Sequence, residues 1–415
     1  MPILLSRQLR PLTALLALTL TLPAAHSQTL ARPGWAGSGM NAAPWWKHAV
    51  IYRADPRSFG GLHALAEHLD YVRSLGADAL LLSSLGGDAT NPIDPALGTI
   101  DDLDDIIRRA SQDNLRVLIE IDTAAPGAQG KARLWLTHGA AGFYAPHSSA
   151  DQLAELERSA AGFGGQRIVI GDVEASAPNH GPDKPQLVAD PRVGTQEKLV
   201  ASSIRPALEA AQQIVEEGRS VPLLLSDGPS LKRSINRYGD GTHDLEIAKQ
   251  LAAILMATRA GTMVFSGQEL GLTDASGQIS FAEPKKAEQP SPLSVAAENS
   301  TPSSLLNWYR QLSALSHTNR TLSSGAITIL NHDEQNLLAW VRRPSSASPA
   351  TPPIVVVENL SSQPVTVSLK ADIQRLHLRG SFLRTLLRSD NAMGAMHLDG
   401  MTLAPHAVFI GELRY

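Results

Sequence analysis

An α/β chain, with a (β/α)8 barrel followed by a small all-β domain, is the fold class this sequence predicts, and three observations carry it. Between Pro44 and Asn319, short continuously apolar runs alternate with helical segments, the pattern of a parallel sheet covered on both faces. After Asn319 the helices give way to hairpin-type strands separated by turn residues, which marks a separate all-β unit. The chain has 415 residues, more than one small core needs, so a large and a smaller unit both fit. A doubly wound open sheet is the alternative for the first unit.

The N-terminus reads as a targeting segment. Arg7 and Arg10 precede an apolar run from Leu12 to Leu22, and small residues follow at Ala25 and Ser27. That order predicts a secretory signal over residues 1–27, cut after Ser27. The apolar run is well short of the roughly 20 residues needed to span a bilayer. The expectation is a mature chain without a membrane span, exported to the periplasm or beyond the cell. The chain has no cysteine, which leaves no thiol to mispair after export and no disulfide to support the fold. Residues 28–43, rich in Gly, Ala, Pro and Ser, read as a linker.

Each barrel element has a local reason. Ala49–Pro56 ("AVIYRADP") is a short apolar strand. Gly61–Gly76 places Leu62, Leu65, Leu69 and Val72 at helical spacing and stops at glycine. Ala77–Leu85 is a buried-type strand. Thr99–Leu115 is a helix with Thr99 as N-cap and acids in its first turn, which suits the helix dipole. Arg116–Asp122 is another strand. The alternation resumes through "KARLWLTHGAAGF", "QRIVIGDVEA", "VGTQEKLVASSIRPALEAAQQIVEEG", "VPLLLSDG", "DLEIAKQLAAILMATRAG" and "TMVFSGQELG". The helix Ser303–Asn319 closes a barrel domain over 44–319, and the β-rich remainder is 320–415. Within it, Pro344–Pro353 ("PSSASPATPP") reads as a loop. A net charge of −4 with no basic run excludes the electrostatic footprint of a nucleic-acid partner.

Several stretches carry a resemblance. "PWWKHAVIYRADPRSF", "HLDYVRSLGADALLLSSL" and "NPIDPALGTIDDLDDIIRRASQDNLRVLIEID" resemble the first third of the barrel in glycoside hydrolase family 13, the alpha-amylase family. "SINRYGDG", "EIAKQLAAILMATRAGTMVFSGQELGL", "SSLLNWYRQLSAL" and "LAPHAVFIGEL" resemble its late barrel and C-terminal region. The resemblance runs from about Pro44 to the C-terminus and implies a barrel followed by an antiparallel β-sandwich. The family's inserted domain B, which bears calcium, is missing: only "PGAQGKARLWLTHGAAGF" separates the third strand from the fourth.

The resemblance also locates the chemistry. A retaining glycosidase places a nucleophile and an acid/base, two carboxyl groups roughly 5–5.5 Å apart, across the glycosidic bond. In a (β/α)8 enzyme such groups stand at the C-terminal ends of strands. The family's fourth-strand motif is Gly-Phe-Arg-x-Asp. Here Gly142-Phe143 matches, but Tyr144 stands for the arginine and Pro146 for the nucleophile. Proline has no lone pair with which to attack a sugar carbon. The acid/base position after the fifth strand is held by Asp172, following Gly171, with Glu174 two residues on. Asp172 could donate a proton through a water or simply hydrogen-bond at a strand end.

For the family's stabilising acid in its Asn-His-Asp motif, two counts compete. Counted back from Arg233 and Arg237, which fit the family's substrate-binding arginines, the position is Ser230. Counted forward from the strand, it is Asp227, whose plainer reading is a turn-forming Asp before Gly-Pro. The family's third-strand Asn-His is Ala124-Ala125 here. Asp55 is expected to bond to a nearby arginine, and His147 is a loop histidine with a minor ligand-binding possibility. No group has metal-ligand spacing in sequence, so neither a metal nor another cofactor is predicted.

The expected function is therefore a secreted, catalytically inactive member of that family that binds an alpha-linked oligosaccharide or a protein. The amylase-like ectodomain of amino-acid transporter heavy chains is similar in lacking the insertion and the catalytic acids. The alternative is a divergent alpha-glycosidase with Asp172 as acid/base. A scaffold for a larger exported assembly is a third reading.

Overall fold

Eight parallel strands close on themselves. In this computed structural model they are β1 Val50–Ala54, β2 Ala79–Leu82, β3 Arg116–Glu120, β4 Gly142–Tyr144, β5 Ile168–Asp172, β6 Leu187–Asp190, β7 Val221–Leu224 and β8 Gly261–Phe265. The structure describes residues 44–88, 91–173, 184–218, 220–282, 293–344, 348, 351–390 and 392–415. The expected signal and linker, and Glu174, lie outside the described residues. The ladder between β1 and β8, with Val50 opposite Thr262, closes the barrel and rules out the open-sheet alternative.

The strands read as continuous apolar runs because both of their faces are buried. Ile51, Leu81, Leu118, Ile168, Ile170, Leu187, Leu223 and Met263 fill the barrel interior. Their neighbours Tyr52, Leu80, Leu82, Val117, Ile119, Phe143, Val169 and Val264 face the helical layer. Gly142 is required by close packing: a Cβ there would lie 2.0 Å from the Ile168 carbonyl oxygen, at a φ of 148°. A single helix, Ala128–His138, connects β3 to β4, so no inserted domain stands there.

Two sequence expectations change. The helix expected over 61–76 is two helices, Leu62–Ala66 and Leu69–Ser74. At the break His68 leaves helical geometry, and its ring stacks on Phe281 with centroids 3.6 Å apart. The strand β6 was not anticipated. Its four residues lie between Pro185 and Pro191, too short a run to show periodicity. The helix Ile100–Gln112 has Thr99 as N-cap, as expected, and adds a capping box with Asp102.

The C-terminal unit comprises β9 Ala326–Leu330, β10 Leu337–Arg343, β11 Ile354–Asn359, β12 Val365–Val367, β13 Phe382–Arg388, β14 Met396–His397, β15 Met401–Leu403 and β16 Val408–Arg414. Six of them form one antiparallel sheet in the order β14-β13-β16-β11-β10-β9, while β12 and β15 pair separately. Alternation along β10, β11 and β16 assigns the two faces. Leu338, Trp340, Ile354, Val356, Val408 and Ile410 join the barrel's core. Leu337, Ala339, Val341, Val355, Val357 and Phe409 pack in a second core with Met401 and Leu403 of β15.

A fully buried arginine fastens this sheet to the barrel. Arg342 donates to the carbonyl oxygens of Ala257 at 3.1 Å, Thr258 at 2.5 Å, Leu322 at 2.6 Å and Gly325 at 2.9 and 3.2 Å. These carbonyls lie at or just beyond the C-terminal ends of the helices Asp244–Met256 and Arg320–Ser324, where partial negative charge favours a cation.

Candidate functional site

Chemistry in a (β/α)8 barrel belongs at the C-terminal ends of the strands, so each end is considered in turn. β4 runs directly into Ala145, Pro146 and His147. Pro146 therefore stands where the resemblance puts a nucleophile, and its side chain carries no ionisable group. Tyr144, at the arginine position, donates its hydroxyl to Oδ1 of Asp172 at 3.0 Å. The backbone N–H of His147 donates to Oδ2 of the same carboxylate at 2.7 Å. Both oxygens of Asp172 are thus engaged by β4 and the residues that follow it. Burial first, and then the charge of Asp172, push the Tyr144 phenol well above its usual range, so it remains a protonated donor. His147 adopts a φ of 56°, and its side chain is 86% exposed, with Nδ1 3.7 Å from the Asp172 carboxylate.

The remaining strand ends hold ion pairs that the sequence reading did not anticipate. Arg53 of β1 donates to Oε2 of Glu120 at the end of β3, at 2.5 and 3.1 Å. At the end of β6, the fully buried Asp190 accepts from Arg192 at 2.7 and 2.5 Å. The guanidiniums of Arg53 and Arg233 lie 5.3 and 4.5 Å from the centre of the Phe265 ring at the end of β8. Behind β8, the buried Glu269 accepts from Tyr52 at 2.8 Å, Tyr71 at 2.5 Å and the N–H of Gly267 at 2.9 Å. Burial raises its pKa, and the two tyrosine bonds work against that rise. The available signal was a charged residue within an apolar strand: Arg53 in "VIYRA" and Glu120 in "RVLIE".

Beyond β7 the two competing positions separate. Asp227 is 1% exposed, accepts from Ser226 Oγ and Ser234 N at 3.1 Å each, and lies 3.9 Å from both Arg233 and Arg237. Burial raises its pKa, while the bonds to Ser234 and the charge of Arg233 hold the rise back. Ser230 is exposed, in a turn closed by a bridge between Gly228 and Leu231. That turn accounts for the three-residue difference between the two counts. The arginines also bond inward: Arg233 Nη2 to the Ser266 carbonyl at 2.8 Å, and Arg237 Nη2 to that of Ser226 at 2.5 Å.

Asp55 bonds as expected. It caps a short 3-10 turn by accepting from the N–H of Arg57 at 3.0 Å, with the Arg57 guanidinium at 3.8 Å. Ala124 and Ala125 follow β3 in a turn in which Asp122 accepts from the N–H of Ala124 at 2.9 Å. Among the described residues, the side chains within metal-ligand reach of one another are Asp240, His243 and His406. They lie on the β7–β8 connection and the C-terminal sheet domain, and no sequence spacing pointed to them.

No model of a known protein family matches the chain. Individual relatives do match. Trehalose-6-phosphate hydrolase of Escherichia coli is 34% identical over 95 residues, 19% of this chain and 17% of the hydrolase. The amino acid transporter heavy chain SLC3A2 of Oryctolagus cuniculus is 25% identical over 352 residues, 72% of this chain and 64% of that protein. These relatives are of the kinds the sequence resembles, glycosidases and transporter heavy chains.

Solved structures share its fold. Trehalose-6-phosphate hydrolase of Bacillus licheniformis superposes with a TM-score of 0.76 at 14% identity, covering 90% of this chain and 100% of that chain. Trehalulose synthase of Pseudomonas mesoacidophila gives 0.74 at 15% identity with the same coverage. At such identities the likeness concerns the fold alone. The match to the Escherichia coli hydrolase spans less than a fifth of that enzyme.

Proposed function

We propose that this alpha-amylase-family chain is a catalytically silent, exported protein that acts by binding a protein or an alpha-linked oligosaccharide. The observation that carries the proposal is Pro146 at the end of β4. A retaining mechanism needs a carboxylate there to form the covalent intermediate that splits the difficult step in two. At the acid/base position, Asp172 accepts from Tyr144 and the His147 N–H, one bond at each oxygen. Asp227 could support Asp172 only by leaving a site where it is 1% exposed and set beside two arginines.

Export rests on the basic-then-apolar order of residues 1–27. A protein partner is favoured by the heavy-chain relative, whose match extends over 72% of the chain, whereas the hydrolase match covers 19%. The test is a panel of alpha-linked oligosaccharides assayed for both turnover and binding. The expected result is no turnover. Glucose release that disappears in Asp172→Ala would overturn the proposal in favour of a divergent alpha-glycosidase.

A further inference from the structure

His243 and His406 belong to different parts of the fold and meet where the C-terminal sheet packs on the barrel. His243 is the N-cap residue of the helix Asp244–Met256, on the β7–β8 connection. His406 precedes β16 and adopts a φ of 51°. Their ring centroids are 5.0 Å apart. With Asp240 they form a group in which one potential ligand atom from each residue lies within 4.8 Å of the others.

The hydrogen bonds around His406 fix its protonation. Gln250 is fully buried, and its Nε2 donates to the Asn359 carbonyl at 2.7 Å. Its Oε1 is therefore the acceptor that faces His406 Nδ1 at 3.2 Å. Nδ1 must carry the proton, which leaves Nε2 with a bare lone pair. That Nε2 is buried and has no hydrogen-bond partner among the described residues, on a residue only 8% exposed. A buried acceptor left without a donor is destabilising, and a metal ion would satisfy it.

His243 Nδ1 lies 2.7 Å from Asp240 Oδ2. Oδ1 of Asp240 accepts from the N–H groups of Thr242 at 2.8 Å and His243 at 2.6 Å. An amide that holds one ring nitrogen while the other binds metal is the usual outer-shell arrangement of a histidine ligand, and Gln250 gives His406 that arrangement, whereas Asp240 and His243 present neighbouring ligand atoms to each other. An Asp240–His243 ion pair alone would explain the contact between those two residues. It gives no reason for a buried, bare nitrogen on His406 beside them.

We propose that Asp240, His243 and His406 bind a first-row divalent cation, Zn2+ foremost, which clips the barrel to the C-terminal sheet domain. Two imidazoles and one carboxylate suit Zn2+ rather than Ca2+ or Mg2+. Bonds of about 2.0–2.2 Å require the three ligands to draw together. His243 and Asp240 have room to do so, with side chains 34% and 43% exposed. Water completes the coordination. The clip is structural and independent of the silent barrel mouth.

The test uses the full chain, stripped with chelator and titrated calorimetrically with ZnCl2, with Co2+ absorption as a second reading of coordination. One equivalent is expected to bind in the micromolar range and to raise the melting temperature. His243→Ala and His406→Ala should each weaken binding at least tenfold and abolish the Zn2+-dependent rise in melting temperature. Gln250→Ala, acting through the orientation of His406, should weaken binding about tenfold. If His406→Ala does not fold, the partly exposed His243→Ala decides. The proposal fails if no stoichiometric binding appears up to millimolar Zn2+, or if His243→Ala binds as the wild type does.

Discussion

Arg342→Met is expected to destabilise the protein by about 2–4 kcal/mol. The substitution removes the guanidinium that donates to four buried carbonyls. Ala257 keeps a second donor, Trp340 Nε1 at 3.1 Å, whereas Thr258, Leu322 and Gly325 lose theirs. A buried acceptor left unpaired costs about 1–3 kcal/mol, so three of them would cost about 3–9 kcal/mol. Against this, methionine no longer carries a charge into the core. Burial, followed by the neighbouring Arg259, pushes the Arg342 pKa down to about 9. That is still high enough to keep the group charged at pH 7, yet it signals a desolvation penalty of several kcal/mol. The unpaired carbonyls should outweigh the relief, because backbone groups cannot be mutated away with their partner. Urea unfolding is the assay, with the change read from the midpoint at constant slope. Trp340→Phe, which removes one donor, should cost about 1 kcal/mol. Unchanged or increased stability in Arg342→Met would instead make the buried charge a net liability.

Other substitutions test separate parts of the account. Glu358 is fully buried, both its oxygens lack a partner among the described residues, and burial raises its pKa well above the usual 4.5. A raised carboxyl pKa gives stability that is present below about 4.5 and lost as pH rises through the folded-state value. Glu358→Leu should therefore stabilise the protein at pH 7 by about 1–3 kcal/mol, and the gain should shrink at pH 4; equal melts at both values would contradict this. Thr99→Ala, which breaks the capping box at the helix Ile100–Gln112, should cost about 1 kcal/mol in a denaturant melt. Tyr144→Phe removes a single bond to Asp172 and should cost about 0.5–1.5 kcal/mol by the same measurement. Pro146→Asp should give no glucose release from alpha-linked oligosaccharides, since one restored carboxylate leaves Tyr144 at the arginine position and Asp227 buried at 1% exposure; activity in that variant would mean the rest of the catalytic geometry is intact.

The barrel mouth was legible in the sequence only where local pattern reaches. Asp172 was placed by the resemblance, which puts an acid/base after a glycine at the end of the fifth strand, itself legible as an apolar run. Asp55 was read as bonded because an arginine stands two residues away. Asp227 and Ser230 could not be separated by counting, since Gly228-Pro229 permits a turn of either length; the bridge from Gly228 to Leu231 separates them. Arg53 with Glu120, and His243 with His406, were invisible as pairs because nothing local in either residue specifies its partner.

The apolar runs of the barrel strands, the switch to antiparallel strands and the proline at position 146 are legible along the chain. Apolar runs, caps and side-chain chemistry are local properties, and local properties can be read along a chain. The retained Gly142-Phe143 belongs to the same category, since Gly142 is needed for contact with β5 and Phe143 fills the helical layer. That Asp172 is tied to Tyr144 and His147, that Arg342 joins the two domains, and that His406 carries a bare buried nitrogen emerges from the packing of the whole chain. Each of these depends on which groups burial leaves within hydrogen-bonding reach, and burial is a property of the whole fold.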